Sequence, residues 1–155
     1  MDTCTLRDFQ ETDSDWLLEW YRADQAGMAD LLGVDVSDET KFMAACNALF
    51  EATLQHHARL WMVERATQPL GFFLMTNFDP TTHSARVHIY VDPDQRRYSF
   101  QAAQSIGDTV IKTLKDVGVE QLYATQPRAH RGAYAVAKRM GFHELPTVML
   151  VKELN

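Results

Sequence analysis

Residues 85–91, ARVHIYV, alternate without exception, so that Arg86, His88 and Tyr90 face one way and Val87, Ile89 and Val91 the other. That period of two is the pattern of a strand with one face more buried than the other. Two further strand candidates precede it, Leu60–Arg65 (LWMVER) and the aromatic run Leu70–Asn77 (LGFFLMTN). Turn residues separate them at Thr67-Gln68-Pro69 and Asp79-Pro80-Thr81-Thr82. Turns this short can join only antiparallel neighbours, so the three read as a meander. Ten residues beyond Val91 the period changes. Ala103, Ile106, Val110, Leu114 and Val117 step by three and four, and Gly118 stands at the C-cap. The chain must therefore close a sheet and cover it with helices.

The flanking segments extend this frame. Cys4–Phe9 reads as a short strand, and Thr12-Asp13-Ser14-Asp15 as a helix start with carboxylates in its first turn. Trp16, Leu17, Trp20, Tyr21, Met28, Leu31 and Leu32 continue at helical spacing, with Gly27 and Gly33 as the expected breaks. Ser37-Asp38-Glu39 opens a second helix to about Ala58, with Phe42, Met43, Cys46, Leu49, Phe50, Leu54 and His57 on one face. Val119–Thr125 is the next strand and His130–Met140 a helix closed by Gly141. Thr147–Lys152 is a final strand. The expected order is β-α-α-β-β-β-α-β-α-β. A length of 155 residues fits one domain over 1–155 with a sizeable core.

Composition narrows the setting. Hydrophobic residues at 46% and charged residues at 23% are a globular balance, which excludes a disordered or low-complexity chain. No apolar run approaches the ~18 residues of a membrane span, and MDTCTLRDFQ has no basic or apolar leader. Cys4 and Cys46 form neither a CxxC pair nor a metal-ligand spacing, which fits buried thiols in a reducing, cytoplasmic setting. His56-His57 point to different faces of a helix, and Asp92 and Asp94 are loop carboxylates, so no metal site is expected. The net charge of −6 argues against nucleic-acid binding. It is unevenly spread: residues 1–64 hold four basic and thirteen acidic side chains, residues 65–155 eleven and eight. No GxSxG, HExxH, Walker or GxGxxG pattern occurs.

Two segments carry a resemblance. Val91-Asp92-Pro93-Asp94-Gln95-Arg96-Arg97-Tyr98-Ser99-Phe100-Gln101 lies between the alternating strand and the amphipathic helix, and resembles the acetyl-CoA-binding motif of the GCN5-related N-acetyltransferases, V-x-P-x-x-(Q/R)-x-x-G-x-(G/A). Ala133–Phe142 (AYAVAKRMGF) resembles the later helix of that family, which ends in Gly-Phe. The resemblance spans essentially the whole chain. It implies an α/β (α+β) fold: a mixed, twisted, mostly antiparallel sheet with helices on both faces. It implies acetyl-CoA as acyl donor, with no metal.

What the resemblance implies for residues follows position by position. A loop at a helix N-terminus offers unpaired N–H groups and the positive end of the dipole to a pyrophosphate. Here that loop is Arg96, Arg97, Tyr98, Ser99, Phe100 and Gln101, with Ser99 and Gln101 where the family has glycines. Arg96 occupies the Q/R position, and two guanidiniums suit phosphate. Backbone N–H groups near Ile89 and Val91 would meet the developing oxyanion. His130 falls on the family's cofactor-contacting Asn. The family's proton-donating Tyr position is Ala137, and Tyr134, one helical turn earlier, is the substitute candidate acid, or a half-buried packing residue. His88 and Glu64 are the base candidates, each also readable as an ordinary strand side chain.

The expected activity is acetyl transfer to a primary amine of a small molecule or peptide by direct attack. The acidic first half favours a cationic acceptor. The competing expectation is a non-catalytic binding or assembly module of the same fold, familiar from phage and prophage genomes, because both glycines and the Tyr are replaced. Trp16, Trp20 and Tyr21 are a candidate homodimer surface, with core packing as the default reading.

Overall fold

The computed structural model describes residues 3–32, 38–124, 131–146 and 150–154, with the backbone alone for residues 29–32, 132, 133 and 136. In chain order the elements are β1 (Cys4–Asp8), α1 (Ser14–Ala23), α2 (Gln25–Leu32), α3 (Glu39–Leu54), β2 (Arg59–Arg65), β3 (Gln68–Asp79), β4 (Ser84–Val91), α4 (Ser99–Asp116), β5 (Gln121–Tyr123) and α5 (Arg131–Arg139). Short 3-10 turns at Glu11–Asp13 and Pro93–Tyr98 lead into α1 and α4. Residues 1–125 and 126–155 are two compact units, and the whole sheet lies in the first. The sheet is ordered β1-β2-β3-β4-β5, antiparallel except for the β4–β5 pair.

Register assigns the faces. Met62 pairs with Phe72 and Phe72 with Tyr90, so their side chains share one face. Leu17, Trp20, Tyr21, Phe42 and Cys46 pack on that face against Leu60, Met62, Phe72, Leu74 and Tyr90. The Trp20, Phe72 and Tyr90 rings lie 5.4–6.0 Å apart at their centroids, Phe72 stacked on Tyr90 and Trp20 tilted against both. The alternate residues Trp61, Val63, Phe73 and Val87 fall on the other face, and α4 lies over its β1 side with Ala102, Ala103, Ile106, Val110 and Leu114 buried. Helices thus cover both faces. Trp20 and Tyr21 are buried in the core and Trp16 packs against it, so this trio is core and not a dimer surface.

Several local expectations shift. Three helices replace two between β1 and β2. The first break falls at Asp24 (φ −149°, ψ 68°), not at Gly27, which lies inside α2. The Asp24 N–H donates to Trp20 O and closes α1, while its carboxylate accepts from Gly27 N and caps α2. Helix α3 is capped by Asp38, whose carboxylate accepts from Lys41 N. It ends at Leu54, and Met43, Leu54 and His57, placed by their spacing on one face with Phe42 and Cys46, are exposed. The β2–β3 turn is Ala66-Thr67, both at positive φ between the paired Arg65 and Gln68, which makes a two-residue type I′ hairpin. Pro69, expected in the turn, enters β3 beside a bulge. Strand β5 is shorter than the expected Val119–Thr125. Residues 147–149 of the expected last strand lie outside the described residues, and Leu150, Val151 and Lys152 are not in a strand. The second unit holds α5, followed by Gly141 at φ +94°. Among the described residues no helix is long and apolar enough to cross a membrane.

Candidate functional site

Strand β5 stays beside β4 only at Ser84↔Gln121, Ala85↔Leu122 and Arg86↔Tyr123, whereas β4 continues to Val91, paired on its other side with Gly71 of β3. From Val87 to Val91 the outer edge of β4 therefore has no strand beside it among the described residues. Backbone groups along such an edge need other partners. His88, Ile89 and Val91 all lie on this stretch.

The edge runs directly into the loop. Asp92 accepts from Asp94 N at 2.9 Å through Oδ1, which starts the Pro93–Tyr98 turn, and from Trp20 Nε1 at 3.0 Å through Oδ2. Pro93 suits the first position because its missing N–H has no bond to make there. Ser99, Phe100 and Gln101 form the half-buried first turn of α4, which holds no acidic residue. Arg96 Nη2 donates to Asp24 Oδ2 at 2.7 Å. Two guanidiniums lie over the Tyr98 ring, Arg65 at 3.7 Å from its centroid and Arg97 at 4.9 Å. The loop region thus gathers Arg65, Arg96 and Arg97 beside the positive end of a helix. Sequence reasoning found Arg96 and Arg97 but missed Arg65, Trp20 and Asp24. Those three reach the loop from β2, α1 and the α1–α2 junction, and no local pattern marks such contacts.

The two base candidates separate clearly. Glu64 accepts from Arg7 Nε at 2.8 Å, and Arg7 binds Asp13 through both terminal nitrogens at 2.8 and 2.9 Å. The guanidinium holds the buried Asp13 carboxyl below the usual carboxylate range. Glu64 is thus part of a clasp joining β1, β2 and the start of α1. His88 lies half-buried across from Leu74, and burial first, then Arg86, push its imidazole below the ordinary value. Both causes favour the neutral imidazole. Tyr90 donates to Asp24 Oδ2 at 3.0 Å, and burial and that carboxylate raise its phenol far above the ordinary range.

Tyr134 stands on α5 in the second unit, half-buried, with the Lys138 ammonium 5.4 Å from its ring centroid. His130 lies outside the described residues. No group of three or more His, Cys, Asp or Glu placed to hold a metal occurs among the described residues.

The model of the acetyltransferase (GNAT) domain matches residues 4–143. No curated protein matches the chain. Among solved structures, spermidine N-acetyltransferase from Vibrio cholerae in complex with CoA and spermine superposes with a TM-score of 0.78 at 14% identity, covering 99% of this chain and 88% of that one. The ribosomal L7/L12 alpha-N-protein acetyltransferase RimL in complex with coenzyme A gives 0.71 at 14% identity, covering 89% and 78%. A predicted acetyltransferase with acetyl-CoA from Clostridium acetobutylicum gives 0.67 at 13% identity, covering 97% and 96%. At such identities the likeness is one of fold, and that fold is the mixed, mostly antiparallel sheet described above. With the family's domain matched from residue 4 to residue 143, the chain belongs to the GNAT acetyltransferase family.

Proposed function

We propose that the chain, as one acyltransferase domain over 1–155, transfers the acetyl group of acetyl-CoA to a primary amine of a small molecule or peptide. The observation that carries this reading is the outer edge of β4 from Val87 to Val91, which has no strand beside it among the described residues and ends at an arginine-bearing loop and the first turn of α4. A thioester laid along that edge would place its carbonyl against the strand's N–H groups at Ile89 or Val91. The amine nitrogen attacks the carbonyl carbon, the C–S bond breaks, and coenzyme A leaves as thiolate. His88 accepts the proton that the ammonium or the attacking amine must lose, directly or through a water. It is preferred over Glu64, whose carboxylate is committed to Arg7. Tyr134 is the proposed proton donor to the thiolate. Arg96, Arg97, Tyr98, Ser99, Phe100, Gln101 and His130 are the proposed cofactor contacts. The acceptor is cationic, in keeping with the acidic first half. A polyamine or a protein amino terminus, the groups named for two structural neighbours, is of that class. Buried Cys4 and Cys46, both free thiols, suit the cytoplasm.

The test is a thermal-unfolding titration with acetyl-CoA. A ligand at 100 times its Kd adds ~2.7 kcal/mol of stability, so the transition should rise by several degrees. Arg96→Ala with Arg97→Ala should shrink that rise. An unmoved transition at saturating acetyl-CoA and CoA would overturn the reading. Ser99 and Gln101 at the glycine positions and Ala137 at the tyrosine position favour a second reading, a CoA-fold module without turnover. It predicts no release of CoA thiol with any member of a panel of small amines and peptides.

A further inference from the structure

Asp24 stands where four parts of the first unit meet. It ends α1, caps α2, accepts from Tyr90 at the end of β4, and pairs with Arg96 of the loop. Its carboxylate is mostly buried, with 19% of the side chain exposed, whereas the Arg96 side chain is 56% exposed. The two oxygens divide the work. Oδ1 takes Gly27 N at 3.1 Å, and Oδ2 takes Tyr90 Oη at 3.0 Å and Arg96 Nη2 at 2.7 Å. Asp24 is therefore fixed from the protein side by a helix cap and a phenol. Among the described residues Arg96 is held at one terminal nitrogen, and its exposed guanidinium has further donors to offer.

Gly27 belongs to the same arrangement. A Cβ at position 27 would fall on the Asp24 carboxylate, and the nearest atoms around that point all belong to Asp24. A side chain there would displace the carboxylate from its cap and from Arg96. The glycine in the first turn of α2 leaves room for the Asp24 carboxylate.

We propose that Asp24 is a positioning residue for the cofactor loop: anchored by the α2 cap and Tyr90, it orients Arg96 so that the free side of the guanidinium meets a phosphate of coenzyme A. This rests on the proposed acetyl-CoA site and adds a residue to it. A flexible arginine on a short 3-10 turn would lose rotamer freedom on binding phosphate. A carboxylate that holds it beforehand removes part of that loss. The contact also ties the α1–α2 junction to the phosphate loop, so a change on one is felt by the other.

The test is a mutant cycle on the Kd for CoA, measured by calorimetry on the full chain. Asp24→Asn keeps a good helix cap through its one carbonyl oxygen; the NH2 that replaces Oδ2 can donate to the Tyr90 hydroxyl, but the charge and the acceptor that hold Arg96 are removed. It should weaken CoA by about tenfold, ~1.4 kcal/mol. Gly27→Ala, which leaves both partners chemically intact, should weaken it in the same direction. Arg96→Gln, on the exposed side of the pair, should also weaken it. Asp24→Asn combined with Arg96→Gln should be no worse than Arg96→Gln alone, because Asp24 acts through Arg96. In turnover, the loss should appear in KM for acetyl-CoA and not in kcat. A purely structural Asp24 would weaken CoA equally with and without Arg96, and that additive result would overturn the proposal. Unchanged or tighter binding in Asp24→Asn would overturn it too, by showing that the pair is idle or competes with phosphate. If the unmutated chain itself binds no CoA, the cofactor reading fails first, and this inference with it.

Discussion

An imidazole acts as a base only while neutral, and the surroundings of His88 favour that form. Burial disfavours the cation, and Arg86 on the same face of β4 adds repulsion. A histidine with a depressed folded-state value is protonated more readily when the chain unfolds. Its neutral burial is thus without cost above the ordinary value of ~6.5 and destabilises the fold as pH falls below it, toward the lower folded value. With His88 as the proposed base, the same shift would set the pH dependence of activity. The acidic limb of kcat/KM should lie below ~6.5, and His88→Ala should remove that limb and lower kcat by roughly 10²- to 10³-fold. A limb that survives the substitution assigns the base elsewhere. His88 could be placed on its strand face from the alternation of 85–91 alone. What Glu64 touches could not, because its partner Arg7 lies on β1, 57 residues away. Arg65 over Tyr98 was hidden for the same reason. Side-chain contacts made across the sheet leave no trace in local periodicity.

Strands β3 and β4 leave no room for a side chain at Gly71, just where the proposed site begins. A Cβ on Gly71 would fall on the Tyr90 carbonyl oxygen and crowd Val91 Cα, backbone atoms that no rotamer change can move aside. Gly71→Ala should therefore push the end of β4 away and cost ~2–3 kcal/mol, read as a lower urea midpoint. Because Val91 leads straight into the loop, the variant should also lose part of its thermal shift with acetyl-CoA. A midpoint equal to that of the unmutated chain would show that the two strands separate freely. Strong periods made β1 to β5 and α4 legible to within a few residues, whereas the strand expected at Thr147–Lys152 has no counterpart among the described residues. The break between α1 and α2 was misplaced because Gly27 looks like a helix breaker, whereas it makes room for the carboxylate of Asp24. Leu54 shares a face with Phe42 and Cys46 by its spacing and is exposed, because that spacing continues the α3 stripe beyond the end of the surface that stripe covers. Periodicity assigns a face, but only the neighbouring element determines how far burial extends.

Charge is divided along the chain, and the fold partly neutralises the division. Of the acidic first half, Asp13 and Glu64 are bound to Arg7, Glu39 to Arg22 and Asp24 to Arg96. Arg7 and Arg22 are already counted in the net −9 of residues 1–64, so only the pair with Arg96 lowers it, and exposed carboxylates such as Asp15, Glu19 and Glu51 supply much of the field. The other half places Arg65, Arg96 and Arg97 at one loop beside a helix start without acids. Two ligands of opposite charge would then each be drawn to its own side, and both attractions weaken as the screening length shrinks from ~10 Å at 0.1 M salt. Raising salt from 0.05 to 0.3 M should raise KM for a cationic amine and Kd for CoA by roughly threefold each, with kcat nearly constant. A neutral amine of the same size should show no salt dependence in its KM while the CoA term persists. That contrast separates steering of the acceptor from steering of the cofactor. A cationic acceptor whose KM ignores salt, or an anionic acceptor that is preferred, would remove the acidic helices from any part in acceptor choice.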